Sequence, residues 1–465
     1  MGRPLVARLS AFALVSALAA CASAPMEEPT ARASSAAIDL PLADPSAGVA
    51  TSVPRSGVLP SNAALARDFM ELSFSLESGR ALSRFTRFEG PVSIGLEGPV
   101  PPSAPQELSR LVSRLGSEAG LPVTTAPGHA NRITVEFVPK RAMQAEVPNA
   151  ACFVVPNMVS WDDYRANRRD ARADWAQVTQ RSAARVFIPA EATPQEVRDC
   201  LHEEISQALG PLNDLYRLPE SVWNDDNFQA VLTRYDMMQL KATYAPELHS
   251  GMSAPEVMSA LRQVYPRINP AGGAVGSWQE NPTPRSYVNA IEKALGARAS
   301  TAQRKGAAMQ AVQISAAQGW HGPRAAFAWF ALGRLSVKDD PDTALRAFAN
   351  AGAIYRTIPG AGIQSAHVDM QLAAFALSAG RAQDAIALVN RALSPALEGE
   401  NAALMATLYL IRAEAYETLG NHAQAQAARL DSEQWARYGF GSDAALRARA
   451  AEVAALARAG ERRVN

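Results

Sequence analysis

The sequence predicts an α+β domain followed by an all-α domain of repeated helices, and three observations predict it. Between residues 61 and 275, short runs of β-branched and apolar residues at 92–96, 132–138, 151–155 and 184–188 stand between helical periods. From about residue 300 the composition shifts toward Ala, Leu and Gln, with long helical periods and little strand character. Within that stretch Ala344, Ala385 and Ala425 recur at steps of 41 and 40 residues, with Leu345, Ile386 and Ala427 near the apolar sides of successive helices.

Charge and the opening residues narrow the setting. The 465 residues hold 45 Lys plus Arg against 45 Asp plus Glu. That balance supplies no positive field for gripping phosphates, so no nucleic-acid partner is expected. Arg3 and Arg8 flank or precede an apolar run from Leu9 to Ala20, the layout of a secretory leader. A run of twelve residues is too short for a bilayer, which needs about 20 residues of helix. Leu18, Ala19, Ala20 and Cys21 resemble a bacterial lipobox. The resemblance implies a signal peptide at 1–20 and a lipoprotein whose first mature residue, Cys21, carries palmitate-type acyl chains that hold it on a membrane. Ala22 resembles the outer-membrane sorting type, so the expected location is the cell envelope, at the outer membrane facing the periplasm. Six prolines among Ala, Ser and Thr make the rest of 21–60 a flexible tether. With Cys21 acylated, Cys152 and Cys200 remain, and an oxidising compartment lets them pair. One disulfide is expected, two separately buried thiols being the alternative.

The domain at 61–275 opens near Asn62, where Leu65, Phe69, Leu72 and Phe74 form an apolar helical stripe; an extended piece near 73–76 and a turn at Gly79 follow. A helix is expected over 108–115, between the first two strands. The run at 151–155 ends at Pro156, whose missing donor interrupts a ladder, and it places Cys152 in the core. Ser160 caps a helix with Asp163 three residues on. Its Arg165, Arg168, Arg169 and Arg172 are accompanied by Asp162, Asp163, Asp170 and Asp174, a mixed charged face rather than a phosphate stripe.

The most informative segment is 193–210, TPQEVRDCLHEEISQALG. Thr193 caps, Pro194 fits the first helical position, and Glu196 completes a capping box. Gly210 is expected to close the helix in the left-handed conformation, with Pro211 preventing continuation. Val197, Leu201, Ile205 and Ala208 form a core-facing stripe; His202, Glu203, Glu204, Ser206 and Gln207 lie on other sides. Counted from His202, an HExxH zinc motif fails, because Ser206 stands where the second imidazole belongs. A register shifted by one residue places Glu203, Gln207 and Asn213 at ligand positions, Glu204 at the catalytic acid and Gly210 at the turn.

Together with RFTRFEGPV from Arg84 and ACFVVP from Ala151, RDCLHEEISQALGPLND from Arg198 resembles a bacterial lipoprotein family of unknown function, DUF2927, distantly related to the metzincin zinc proteases. The resemblance implies a zincin/metzincin-like α+β fold and a polar signature of His202, Glu203, Gln207, Gly210, Asn213, Asp214, Asn224 and Asp225. Gly251 and Met252 resemble the methionine-containing turn of that group. Amides in place of imidazoles argue against retained zinc, so no cofactor is expected.

Residues 276–300 read as a connecting segment and 441–465 as a C-terminal helix and tail. Between them, 301–440 resembles tetratricopeptide repeats through Ala373, Ala376, Gly380, Ala385, Ala392 and Leu393, and again through Ala413, Tyr416, Gly420 and Ala425. That resemblance implies a groove for an envelope protein partner. The expected function is a lipid-anchored binding or assembly module with an inactive metzincin-like domain. The alternative is an atypical peptidase or hydrolase, dependent on zinc or another divalent metal, with Glu204 as general base.

Overall fold

The structure is a computed structural model that describes residues 30–33, 59–148, 150–277, 282–296 and 298–464; the leader and Cys21 lie outside them. The first region is mixed α/β. Its strands are β1 (Thr30–Ala33), β2 (Val92–Glu97), β3 (Val123–Thr124), β4 (Asn131–Val138), β5 (Ala150–Pro156) and β6 (Ala183–Pro189), in the spatial order β1-β5-β6-β4-β2-β3. Strands β3, β2, β4 and β6 are parallel, β5 runs antiparallel to β6, and β1 antiparallel to β5. The four strands legible in the sequence are present. Strand β1 lies inside the stretch expected to be a structureless tether; the open edge of β5 offers backbone partners that composition alone does not reveal.

Alternation along β5 and β6 divides the core. Cys152, Val154, Val186 and Ile188 face a cluster shared with the helices α1 (Asn62–Ser73), α2 (Ala104–Ala119) and the later α5 (Pro194–Leu209). Phe153, Val155 and Phe187 face the other way, onto α3 (Lys140–Glu146) and α4 (Trp161–Asn167), where Phe153 and Phe187 lie 5.1 Å apart between Trp161 and Tyr164. The central strands, covered on both sides, therefore read as near-continuous apolar runs. The expected disulfide forms between Cys152 on β5 and Cys200 on α5, with Cα atoms 6.0 Å apart.

The remainder is helical: α6 (Arg234–Thr243), α7 (Ala254–Ile268), α8 (Arg285–Leu295), α9 (Thr301–Ala317), α10 (Pro323–Ser336), α11 (Pro341–Tyr355), α12 (Gly362–Ser378), α13 (Ala382–Glu398), α14 (Ala402–Thr418), α15 (His422–Phe440) and α16 (Asp443–Val464). From α8 onward these pack as successive antiparallel neighbours, giving an all-α region of helix pairs. Helix α8 occupies the stretch read as a connector, because Tyr287, Ala290, Ile291 and Ala294 form a buried stripe against α9. Ala344, Ala385 and Ala425 are all fully buried, one in the second helix of each pair, whereas Leu345 is turned outward and 39% exposed. Gly380 and Gly420, with φ of +74° and +72°, make the turns between paired helices. At Gly333 a Cβ would come within 2.8 Å of the Phe348 ring, so glycine lets α10 and α11 approach.

The helix pairs close onto the α/β region. Gln195 of α5 donates to Asn401 Oδ1 (3.2 Å) and accepts from the Ala403 amide (2.9 Å), the Arg198 guanidinium donates to the Glu400 carbonyl (2.8 Å), and the Tyr438 hydroxyl donates to Glu107 (2.9 Å). Phe228 packs against Phe330 at 4.9 Å and His367 at 4.8 Å, and Tyr216 stacks on Phe327 at 5.8 Å. The disulfide closes a loop of 48 residues, a constraint worth about 4 kcal/mol on loop entropy. Replacing both cysteines by Ala is expected to lower the unfolding free energy by roughly that amount, measured by urea denaturation against the oxidised wild type.

Candidate functional site: a buried carboxylate cluster beside α5

Helix α5 begins as its sequence dictates. Thr193 Oγ1 accepts from the Glu196 amide (3.2 Å), Glu196 Oε2 accepts from the Thr193 amide (2.8 Å), and Pro194 occupies the first turn. Its end is different from expectation. Gly210 has φ of −158°, outside the left-handed region. The terminal carbonyls are instead taken by a buried side chain from another segment: Arg181 Nη1 donates to the carbonyls of Gln207 (2.8 Å) and Ala208 (2.7 Å), and Nη2 to that of Gly210 (2.6 Å). Burial lowers the Arg181 pKa to about 10, which leaves the cation intact at neutral pH. A Cβ at 210 would lie 3.2 Å from the Thr243 side chain, so a larger residue there would press Thr243 aside by a few tenths of an ångström.

Of the sixteen residues of α5, only Glu196 is not buried. The apolar stripe meets the sheet as expected, and the polar sides are covered by the segment 212–232 and by the helix pairs. His202 Nδ1 accepts from the Leu232 amide at 3.0 Å. Ser206 Oγ donates to the Glu203 carbonyl (2.8 Å) and accepts from Trp223 Nε1 (2.9 Å), which locks the position where a second zinc-binding imidazole would stand. Asn213 Nδ2 donates to the Glu71 carbonyl (3.0 Å), and Asn224 Nδ2 to Asp226 (3.0 Å). Met252 accepts from the Phe85 amide through its carbonyl (2.9 Å) and from the His249 amide through Sδ (3.2 Å), holding its turn to the rest of the domain.

Five acids gather nearby: Glu203 and Glu204 of α5, Asp214 and Asp225 of the following segment, and Glu77 from the turn after α1. Burial, then the charges of Asp214, Asp225, Glu204 and Glu203, push the Glu77 pKa well above the usual carboxylate range. Asp214 is raised in the same way by burial, Asp225 and Glu203, with partial relief from Gln207, whose Nε2 lies 3.3 Å from both its oxygens. Asp225 rises to about 7 through burial and Glu292 of α8. Asp226, buried beneath Gln364 of α12, also rises to about 7. Glu77 and Glu292 were not foreseen. Neither belongs to a local motif, and each reaches the cluster only through tertiary packing.

The donor set does not fit zinc. Asn213 and His202 are engaged elsewhere, Ser206 is enclosed, and the Gln207 amide turns its NH2 toward Asp214. Among the described residues no group of three or more His, Cys, Asp or Glu is arranged to hold a metal ion. What the arrangement can do chemically is hold protons at neutral pH in a buried junction between the two regions.

Residues 62–263 match the family model described as "Protein of unknown function (DUF2927)", and this segment is a domain of that family. No curated protein matches the chain, and no solved structure does.

For carboxyls whose folded pKa lies above the unfolded value, their contribution is most favourable below the unfolded pKa near 4 and is lost as pH rises through the folded values near 7. Unfolding free energy is therefore expected to fall by a few kcal/mol, in order of magnitude, between pH 5 and pH 8. Asp225→Asn should flatten that slope when urea melts are compared across the range.

Proposed function

We propose that the protein is a lipid-anchored envelope component that serves as a binding and assembly module, with a metzincin-derived domain that no longer catalyses. The observation that carries this reading is the complete burial of Glu204, which is 0% exposed. A general base must meet the water it activates, and Glu204 sits inside a junction sealed by its own chain. What supports a metzincin-derived frame is the placement of the signature helix, which follows β6 after a four-residue link and packs against β5 and β6.

The helix pairs support the binding role and are read as tetratricopeptide-like. Helices α10, α12 and α14 are buried along most of their length, largely by the α/β region and their neighbours, while α11, α13 and α15 keep long exposed sides. The surface left for a partner is accordingly the outer one, which carries Leu345 at 39% and Leu430 at 55% exposure. No described helix is long and apolar enough to cross a membrane; the leader and Cys21 are what support a lipid anchor. Since β1 begins nine residues beyond Cys21, an anchored cysteine would hold the sheet within about 32 Å of the bilayer surface. That reach suits assembly close to the membrane.

Three expected outcomes test this reading. Cys21→Ser should abolish labelling by radioactive palmitate and move the protein from the membrane to the soluble envelope fraction. Wild type and Glu204→Gln should be equally inert against a peptide library with zinc, manganese or calcium added, whereas Leu345→Glu with Leu430→Glu should reduce in-envelope crosslinking without altering the thermal midpoint. Turnover by wild type that Glu204→Gln abolishes would establish the hydrolase instead.

A further inference from the structure

The outer edge of β5 is completed by a segment that lies far from it along the chain. Strand β1 packs on β5 and on α5 behind it, and 28 residues (34–61) separate β1 from α1. The side chains of β5 are already committed to the two cores, Cys152 and Val154 on one face and Phe153 and Val155 on the other, all of them buried. What its outer edge needs is a backbone, since an open edge presents a row of unpaired amides and carbonyls.

Strand β1 meets that need with backbone and little else. Its sequence, Thr-Ala-Arg-Ala, has no large apolar side chain. The register shifts between Arg32 and Ala33, so regular pairing is confined to Thr30, Ala31 and Arg32 opposite Val154, Phe153 and Cys152. Ladder hydrogen bonds are therefore the main hold, and the same segment of any other copy supplies them in the same register. The connection is also long enough to reach beyond its own body. Fully extended, its 28 residues span at most about 100 Å, whereas a compact chain of 465 residues is roughly 60 Å across.

We propose that β1 is exchanged between two copies of the chain, residues 30–33 of each completing the β5 edge of the other. The exchange is reciprocal: each strand that leaves is replaced by an identical one, and the closed two-fold dimer keeps every pairing of the single chain. Concentration then decides which copy's strand is seated. Seating on the same chain competes at an effective concentration on the order of 1 mM, so dilute protein keeps its own strand and crowded protein exchanges it. The crowding in the envelope rests on the lipid-anchor reading above. Copies anchored through Cys21 carry β1 nine residues from one shared surface, which places strands and edges at the same height and confines them to a plane.

The test uses the full chain as an equal mixture of 15N-labelled and unlabelled copies, with the photocrosslinker p-benzoylphenylalanine replacing Ala31 or, in a second variant that guards against one probe unseating the strand, Arg32. Crosslinks between the segments 30–33 and 150–156 are read by mass spectrometry, where a mixed-isotope product marks exchange. Unanchored Cys21→Ser protein at about 2 mM should give at least about fivefold more mixed-isotope product, as a share of all such crosslinks, than at about 10 µM. Anchored protein packed densely in vesicles should approach the value of about one half that random pairing gives, and should lose it on dilution with excess lipid. The Cys21→Ser arm decides the exchange without any anchor, and palmitate labelling of the wild type separately decides the anchor. The exchange is overturned if the crosslinks at 2 mM carry one isotope only, or if neither probe reaches β5.

Discussion

A helix buried on every side must place each polar group it carries, and in this protein α5 imposes that requirement on the rest of the molecule. The sheet takes one face and is bound to it by the Cys152–Cys200 disulfide. Arg181 takes the carbonyls at its C-terminal end. The segment 212–232 folds over its polar side, and helices α14 and α15 press on its beginning, where Gly441 lies so close to Thr193 that a Cβ would sit 3.0 Å from it. Each partner would leave an unsatisfied buried group on α5 if it were removed.

The same requirement explains why acids gather beside α5. Covering the polar side of α5 brings Glu203 and Glu204 against Glu77, Asp214 and Asp225, and burial with charge proximity raises the pKa values of Glu77, Asp214 and Asp225, which favours their protonated forms. The site thereby couples the α/β region to the helix pairs: Asp225 feels Glu292 on α8, and Asp226 receives a hydrogen bond from Gln364 on α12. The two regions share one polar junction, so the helix pairs are part of the α/β region's support and not an independent appendage.

Local grammar was legible where a single segment decides the outcome. The capping box at Thr193, the strand ending at Pro156, the cap at Ser160 and the turn glycines at 380 and 420 all act through neighbours in sequence. The periodic alanines marked the helix pairs because stacking needs small residues at regular intervals. Gly210 shows the limit. A glycine after a helix followed by proline reads as a left-handed stop, yet Arg181, 29 residues earlier, already holds the carbonyls that such a stop would satisfy.

Residue order by itself determined the division into an α/β region and a helical one, the positions of four strands and the start of the signature helix, since these follow from side-chain period and local capping; the cysteines that meet followed from their number and the oxidising setting that the leader implies. Only the tertiary structure decided that the helix has no solvent face, that Glu77 and Glu292 join its acids, and that the first strand lies on the edge of β5. The reason is physical: desolvation and charge proximity depend on which distant segments are brought together in space, and local periodicity carries no measure of that distance.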